Sequence, residues 1–122
     1  MLAGLGCFPK HYHLIAETRQ DNSIIESIRY LHSVSAKYIS RLDELAGRKV
    51  WHQHWDTHIT YPKSFLARLN YVHANAVKMG IVRNAELYEW CSAAWFASTA
   101  QGSFYKTVVD FPSDKVVVPD DF

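Results

Sequence analysis

Residues Thr60 to Gly80 read Thr-Tyr-Pro-Lys-Ser-Phe-Leu-Ala-Arg-Leu-Asn-Tyr-Val-His-Ala-Asn-Ala-Val-Lys-Met-Gly, and the stretch predicts one helix around which the rest of the chain is organised. Pro62 suits the first turn, where its missing N–H has no helical partner to lose, and Gly80 supplies the left-handed residue that ends many helices. At roughly 100° per residue, Phe65, Leu66, Leu69, Val72, Ala76 and Val77 share one broad arc, the expected buried side. Arg68, Tyr71, Asn75 and Lys78 share a narrower one, with Asn75 a single turn beyond Tyr71. On this helix alone the strip has two readings: a solvated face edged by an amphipathic tyrosine, or a phenol set beside an amide for chemistry.

Toward the N-terminus, Leu5 to Glu17 is short, aromatic and branched, and it reads as a strand with Pro9 at its start or at a bulge. On a strand His11 and His13 project to one face and Tyr12 to the other, so the two imidazoles can hold one ion between them. His52 and His54 repeat that spacing, and with His58 they form a rival cluster. Between these segments Ser23 and Glu26 form a helix-start pattern, and Ile24, Ile28, Leu31, Tyr38, Leu42 and Leu45 keep helical spacing as far as Gly47. That predicts a long helix with one buried stripe, from which Arg29, Lys37 and Arg41 stand aside. Gly47 to Thr60 reads as a turn followed by a strand. Trp51 and Trp55, interleaved with Arg48 and Lys49, make a surface on which unpaired bases would stack, or else Trp51, Gln53 and Trp55 are one core face.

Past Gly80, Ile81 to Trp90 is rich in turn signals, Cys91 to Ala100 reads as a short helix, and Phe104 to Val109 as a further helical turn or a strand. Val116 to Phe122 is expected to be extended, with Pro119 blocking a helix. At 122 residues the chain predicts a single domain, 1–122, with 101–122 as a C-terminal extension. Its 48% hydrophobic and 20% charged residues exclude a disordered chain, and no apolar run approaches the roughly 18 residues of a membrane span. Without a leader pattern, and with Cys7 and Cys91 in no paired spacing, the expected location is cytoplasmic. The net charge is only +1, yet from Ser27 to Arg83 nine Lys or Arg face three Asp or Glu, and from Asn84 onward two face six. A basic middle of this kind suits phosphate contacts.

Three blocks, Phe-Pro-Lys-His-Tyr-His-Leu at 8–14, Lys-Val-Trp-His-Gln-His-Trp-Asp-Thr at 49–57 and Leu-Asn-Tyr-Val-His-Ala-Asn-Ala-Val-Lys-Met-Gly-Ile-Val at 69–82, resemble the REP-associated tyrosine transposases, single-tyrosine members of the HUH class. The block Trp90-Cys-Ser-Ala-Ala-Trp95 is similar to the next stretch of such proteins. The resemblance implies an α+β fold: a ferredoxin-like HUH nuclease domain with an antiparallel sheet and packed helices. It also implies that His11 and His13 are paired metal ligands, Asn75 a third ligand, and Tyr71 the nucleophile. The implied activity is cleavage and rejoining of single-stranded DNA beside a hairpin, through a covalent 5′-phosphotyrosine, with Mg²⁺ or Mn²⁺ as cofactor.

Arg29, Lys37, Arg41, Arg48, Lys49 and Lys78 are then the expected phosphate contacts and Trp51 a stacking platform. Two departures stand out. Lys10 precedes the first histidine where the family usually has Asn or Asp, and the strand and helix that family members carry ahead of the histidine strand are expected to be lacking. The sheet would then be completed by a homodimer partner or by a missing N-terminal segment. The competing readings are a truncated module that binds hairpin DNA without cutting it, and a small RNA-binding or structural domain whose histidines are packing residues.

Overall fold

The computed structural model describes residues 1–19 and 21–117. In chain order the elements are β1 (Leu2–Cys7), β2 (Tyr12–Ala16), α1 (Asp21–Leu42), α2 (Pro62–Lys78), a single 3-10 turn (Ala85–Leu87), α3 (Ala93–Thr99) and α4 (Gly102–Val109). The fold is therefore mixed α+β, with one two-stranded antiparallel sheet and four helices among the described residues. None of these helices is long and apolar enough to cross a membrane. The chain forms two compact units, one of Met1–Glu17 with the chain from Ile59 onward, the other of Thr18–His58.

In the first unit, the segment expected as one strand from Leu5 to Glu17 is instead most of a hairpin. Leu5 pairs with Leu14, Gly6 with His13 and Cys7 with Tyr12. The chain reverses at Pro9-Lys10, closed by the Phe8 N–H donating to the His11 carbonyl at 2.8 Å. Pro9 has no N–H to contribute to a ladder, so the loop between the strands is where it does least harm. A strand thus does precede the one bearing His13, and it pairs with it directly.

The other edge of β1 is taken up by the chain entering α3. Gly6 forms a bridge with Cys91, the Cys7 N–H donates to the Trp90 carbonyl at 2.8 Å, and the Ser92 N–H to the Leu5 carbonyl at 2.8 Å. Helix α2 lies over this small sheet, and Gly4 allows the approach: a Cβ there would stand 2.9 Å from Leu69 Cδ1. Ile15, Leu69, Val72, Phe96 and Val108 form the core, with Phe65, Leu66 and Tyr105 packed at its margin. Val108 comes from α4, so part of the stretch expected as an extension supplies a fully buried core side chain.

Helix α2 has the ends its sequence predicts. Pro62 sits in the first turn, and Gly80 adopts a left-handed φ of 72°. The Gly80 N–H donates to the Val77 carbonyl and the Ile81 N–H to the Ala76 carbonyl, each at 2.9 Å, the two bonds that define a glycine-terminated helix. Its buried face is rotated from the expected arc. Val77 is 39% exposed, while His73 and Asn75 are buried beside Leu69, Val72 and Ala76. Layers on two sides, the hairpin and the α3–α4 region, cover more of the wheel than one apolar arc.

The second unit departs further from expectation. Helix α1 ends at Leu42 rather than running to Gly47, because Glu44 takes a left-handed φ of 56° and the Leu45 N–H turns back to the Ser40 carbonyl at 3.0 Å. Ser23 lies inside the helix, not at its cap. The stripe expected to be buried is largely accessible at Leu31, Tyr38, Leu42 and Leu45. The strand expected between Gly47 and Thr60 does not form. Trp51 turns back to α1 instead, its indole N–H donating to Ser35 Oγ at 2.9 Å. A strand requires a neighbour to satisfy its backbone, and alternation of Trp51, Gln53 and Trp55 cannot supply one. The expected extended end at 118–122, including Pro119, lies outside the described residues.

Candidate metal and nucleophile site

The hairpin and α2 bring the histidine pair to the tyrosine. His11 comes just after the reversal at Pro9-Lys10, His13 stands one residue into β2, and Tyr71 and Asn75 are on successive turns of α2. The ring centres of His11 and His13 are 4.9 Å apart, and the His13 ring meets the Tyr71 ring edge-on at 5.4 Å. Lys78 holds its ammonium 4.7 Å from the centre of the Tyr71 ring and donates to Ser113 Oγ at 3.2 Å. This exposed cation is therefore engaged at the edge of the site.

A stack of aromatic rings props the pair from behind. Phe8 stacks on His11 at 5.0 Å and meets His13 edge-on at 5.9 Å, and Tyr88 in turn stacks on Phe8 at 5.6 Å. The Tyr88 hydroxyl donates to the Cys7 carbonyl at 2.7 Å, fixing the outer ring to β1. Gly6 gives Phe8 its room: a Cβ there would stand 2.9 Å from two ring carbons of Phe8. Spacing does not single out Phe8, Gly6 or Tyr88, and the only sequence signal for Phe8 is its place just ahead of the Pro9-Lys10 loop and the first histidine.

Bond lengths test whether these residues fit an ion. A metal–nitrogen bond of about 2.0–2.1 Å, added to roughly 1.2 Å from ring centre to ring nitrogen, puts two imidazoles on one ion about 4.5 Å apart at a right angle and about 6.4 Å when opposed. The 4.9 Å of His11 and His13 lies within that range, near the right-angle end. Their Nε2 atoms and the Asn75 amide nitrogen are all withdrawn from solvent. Asn75 is 3% exposed, and its Nδ2 donates to no described residue, which is costly for a buried amide. Turning that amide over would expose Oδ1, a hard oxygen donor, where Nδ2 now lies. If it joined the two imidazoles, the set would suit Mn²⁺ better than Mg²⁺. Among the described residues no group of three His, Cys, Asp or Glu side chains converges.

His73, also missed by spacing, lies on the buried side of α2 and serves the scaffold. Its Nε2 is 3.0 Å from Ser92 Oγ, which also accepts from the Leu5 N–H at 2.9 Å, and its ring packs on Phe96 at 4.9 Å. Burial pushes its pKa down to about 4, so the ring is neutral at physiological pH. One side chain thereby joins α2 to the chain entering α3 and, through Ser92, to β1.

The remaining expected DNA contacts belong to the second unit. Arg29, Lys37 and Arg41 lie on α1, and Arg48 is paired with Asp43. Lys37, Arg41 and Arg48 line one open concavity of about 440 Å³ with Ser40 and Gly47. Lys49 is exposed nearby in sequence, and Trp51 has one ring face against His32 at 4.6 Å. Of the acidic end, Asp110 is paired with Lys106 at 2.5 Å, whereas Asp120 and Asp121 lie outside the described residues. Comparison of the chain with protein-family models, with curated proteins and with solved structures returns no match.

Proposed function

We propose that this chain is a tyrosine HUH transposase of the REP-associated kind, with a ferredoxin-like ancestry for its hairpin and α2, that cleaves and rejoins single-stranded DNA beside a hairpin. The observation that carries the reading is the meeting of His11, His13 and Tyr71 in one ring cluster, with the buried amide of Asn75 one helical turn further on. Packing alone gives no reason to bury an amide nitrogen without a partner one helical turn beyond Tyr71.

In this reading His11, His13 and Asn75 hold Mn²⁺ or Mg²⁺. The ion, when bound, would draw charge from the scissile phosphate and from the departing 3′ oxygen. The Tyr71 oxygen attacks the phosphorus, an O–P bond forms and the bond to the 3′ oxygen breaks. The phenol gives up its proton to solvent and the 3′ oxygen takes one up as a hydroxyl, so the step is balanced. The product is a 5′-phosphotyrosine and a free 3′-OH, which reverse the reaction on another end without a nucleoside triphosphate. Lys78, with its ammonium against the Tyr71 ring, has the sign needed to favour negative charge on the phenol oxygen. Phe8 and Tyr88 keep the imidazoles oriented. Lys37, Arg41 and Arg48 around one concavity are a fitting seat for phosphates of the hairpin stem.

The test uses a labelled hairpin oligonucleotide with a single-stranded flank and Mn²⁺. A covalent protein–DNA adduct that resists denaturing electrophoresis and is lost completely in Tyr71→Phe is expected. His11→Ala should abolish the adduct while retaining most of the affinity for the hairpin. Binding without an adduct in the unaltered chain would identify a hairpin-binding module instead, and absence of any DNA preference would reject both.

A further inference from the structure

The chain that follows α4 returns to α2 and is fastened to it at two points, one before Tyr71 in sequence and one after. At the first, the Asn70 amide Nδ2 donates to the Phe111 carbonyl at 2.7 Å and to the Val109 carbonyl at 3.3 Å. The last carbonyls of a helix have no partner within it, so Asn70 completes the end of α4. At the second, Lys78 Nζ donates to Ser113 Oγ at 3.2 Å. Ser113 is 9% exposed and set in a stiff piece of chain: Pro112 before it has a fixed φ, and its own carbonyl accepts from the Val116 N–H at 3.2 Å. Lys78 is exposed, and its ammonium stands 4.7 Å from the centre of the Tyr71 ring. A cation–π contact at an exposed site is weaker than the rotamer entropy lost by an ordered lysine, so the ring alone does not hold the ammonium there. The buried hydroxyl supplies the second tie.

We infer that Ser113 is a positioning residue that acts through Lys78: it holds the ammonium against the Tyr71 ring, so that Lys78 serves the phenol and adds little to the affinity for a DNA backbone. The functional side of this inference rests on Tyr71 being the nucleophile, as proposed above. As the phenol attacks a phosphate it gives up its proton, and a cation already fixed beside the ring needs no reordering at that moment. A phosphate contact works differently, since a solvated lysine binds the backbone by its charge and releases a counterion when it does so. Lys78 is instead tied to two groups of its own chain. Part of the stretch expected as a C-terminal extension thereby reaches the side chain proposed to react, by way of Ser113 and without touching the metal ligands.

Two readouts test this, the first without DNA. An aromatic ring current displaces the signals of protons over its face, so in NMR of the full chain with labelled lysine the Lys78 ε-methylene signal should lie upfield of the other lysines. Its absence in Lys78→Arg identifies it, and Ser113→Ala should return it toward the rest. The second readout is the adduct formed with the labelled hairpin and Mn²⁺. Ser113→Ala should slow adduct formation on the order of tenfold, the effect of one hydrogen bond to a charged group. Hairpin affinity and its salt dependence should stay unchanged, which loss of a phosphate contact would not allow. In a Lys78→Met background, Ser113→Ala should make no further difference. The inference is overturned by a Lys78 signal that is not displaced or that ignores Ser113→Ala, by a full adduct rate in Ser113→Ala, or by further slowing in the Lys78→Met background. An unaltered chain that forms no adduct rejects the transposase reading instead, and the Lys78 signal then decides whether Ser113 holds the ammonium.

Discussion

Leu69 on α2 and Leu42 on α1 belong to apolar stripes of the same helical period, yet one is 1% and the other 64% exposed. The difference lies in what surrounds each helix. Around α2 the hairpin and α3–α4 supply second and third layers, and Ile15, Phe96 and Val108 close over its stripe. Within its own unit the described neighbour of α1 is an irregular segment, from which Trp51 and His54 meet the His32 ring. A stripe states a demand for burial, and only a neighbouring layer meets it. The same contrast divides the histidines. His11 and His13 are packed between aromatic rings, whereas His54 is reached from solvent.

The comparison can be broken most directly at its extremes. Leu69→Ala should cost about 2–5 kcal/mol of unfolding free energy, the range for emptying a filled core site, measured by urea denaturation. A loss below about 1 kcal/mol would mean that α2 is not the helix the core depends on. Acid should act nearly as strongly through His73. Its folded pKa of about 4 lies below the ordinary 6.5, so the unfolded chain takes up the proton first. The stabilising effect of the neutral ring is therefore complete above pH 6.5 and is lost as the pH falls toward 4. That loss amounts to about 3 kcal/mol at most, and His73→Gln should flatten the pH dependence across this window.

Gly6→Ala probes the link between scaffold and site. The added methyl would press on the Phe8 ring, and displacing it should cost about 1–3 kcal/mol. It should also shift the His11 and His13 ring signals in NMR, because both rings rest on Phe8. Unshifted imidazole signals would show that the aromatic stack does not orient the pair. At the small end, Leu42→Ala should change stability by no more than about 0.5 kcal/mol, as expected for an accessible side chain. A loss of several times that size, rising with protein concentration, would reveal a cover for the α1 stripe that forms only between chains.

Where local chemistry is decisive, the sequence is legible. Pro62 and Gly80 mark the ends of α2, because a missing N–H and a left-handed backbone are properties of single residues. Tyr71 and Asn75 fall one turn apart by helical geometry alone. The hairpin reads as a single strand because Pro9-Lys10 is not a turn sequence with an obvious left-handed residue, so nothing local announces the reversal. The end of α1 is hidden for a related reason: Glu44, not a glycine, takes the left-handed position. The strand expected after Gly47 fails because pairing depends on a partner that alternation cannot specify.

For this chain, then, the periodicity of its apolar residues and the positions of its prolines and glycines determined that α2 exists, where it starts and stops, and which of its residues stand side by side. Which stripe is covered, that His73 is neutral and buried, and that His11, His13 and Tyr71 form one cluster were decided only in three dimensions. Helical and strand spacing act over a few residues, whereas burial and ring contact depend on segments that meet from distant parts of the chain.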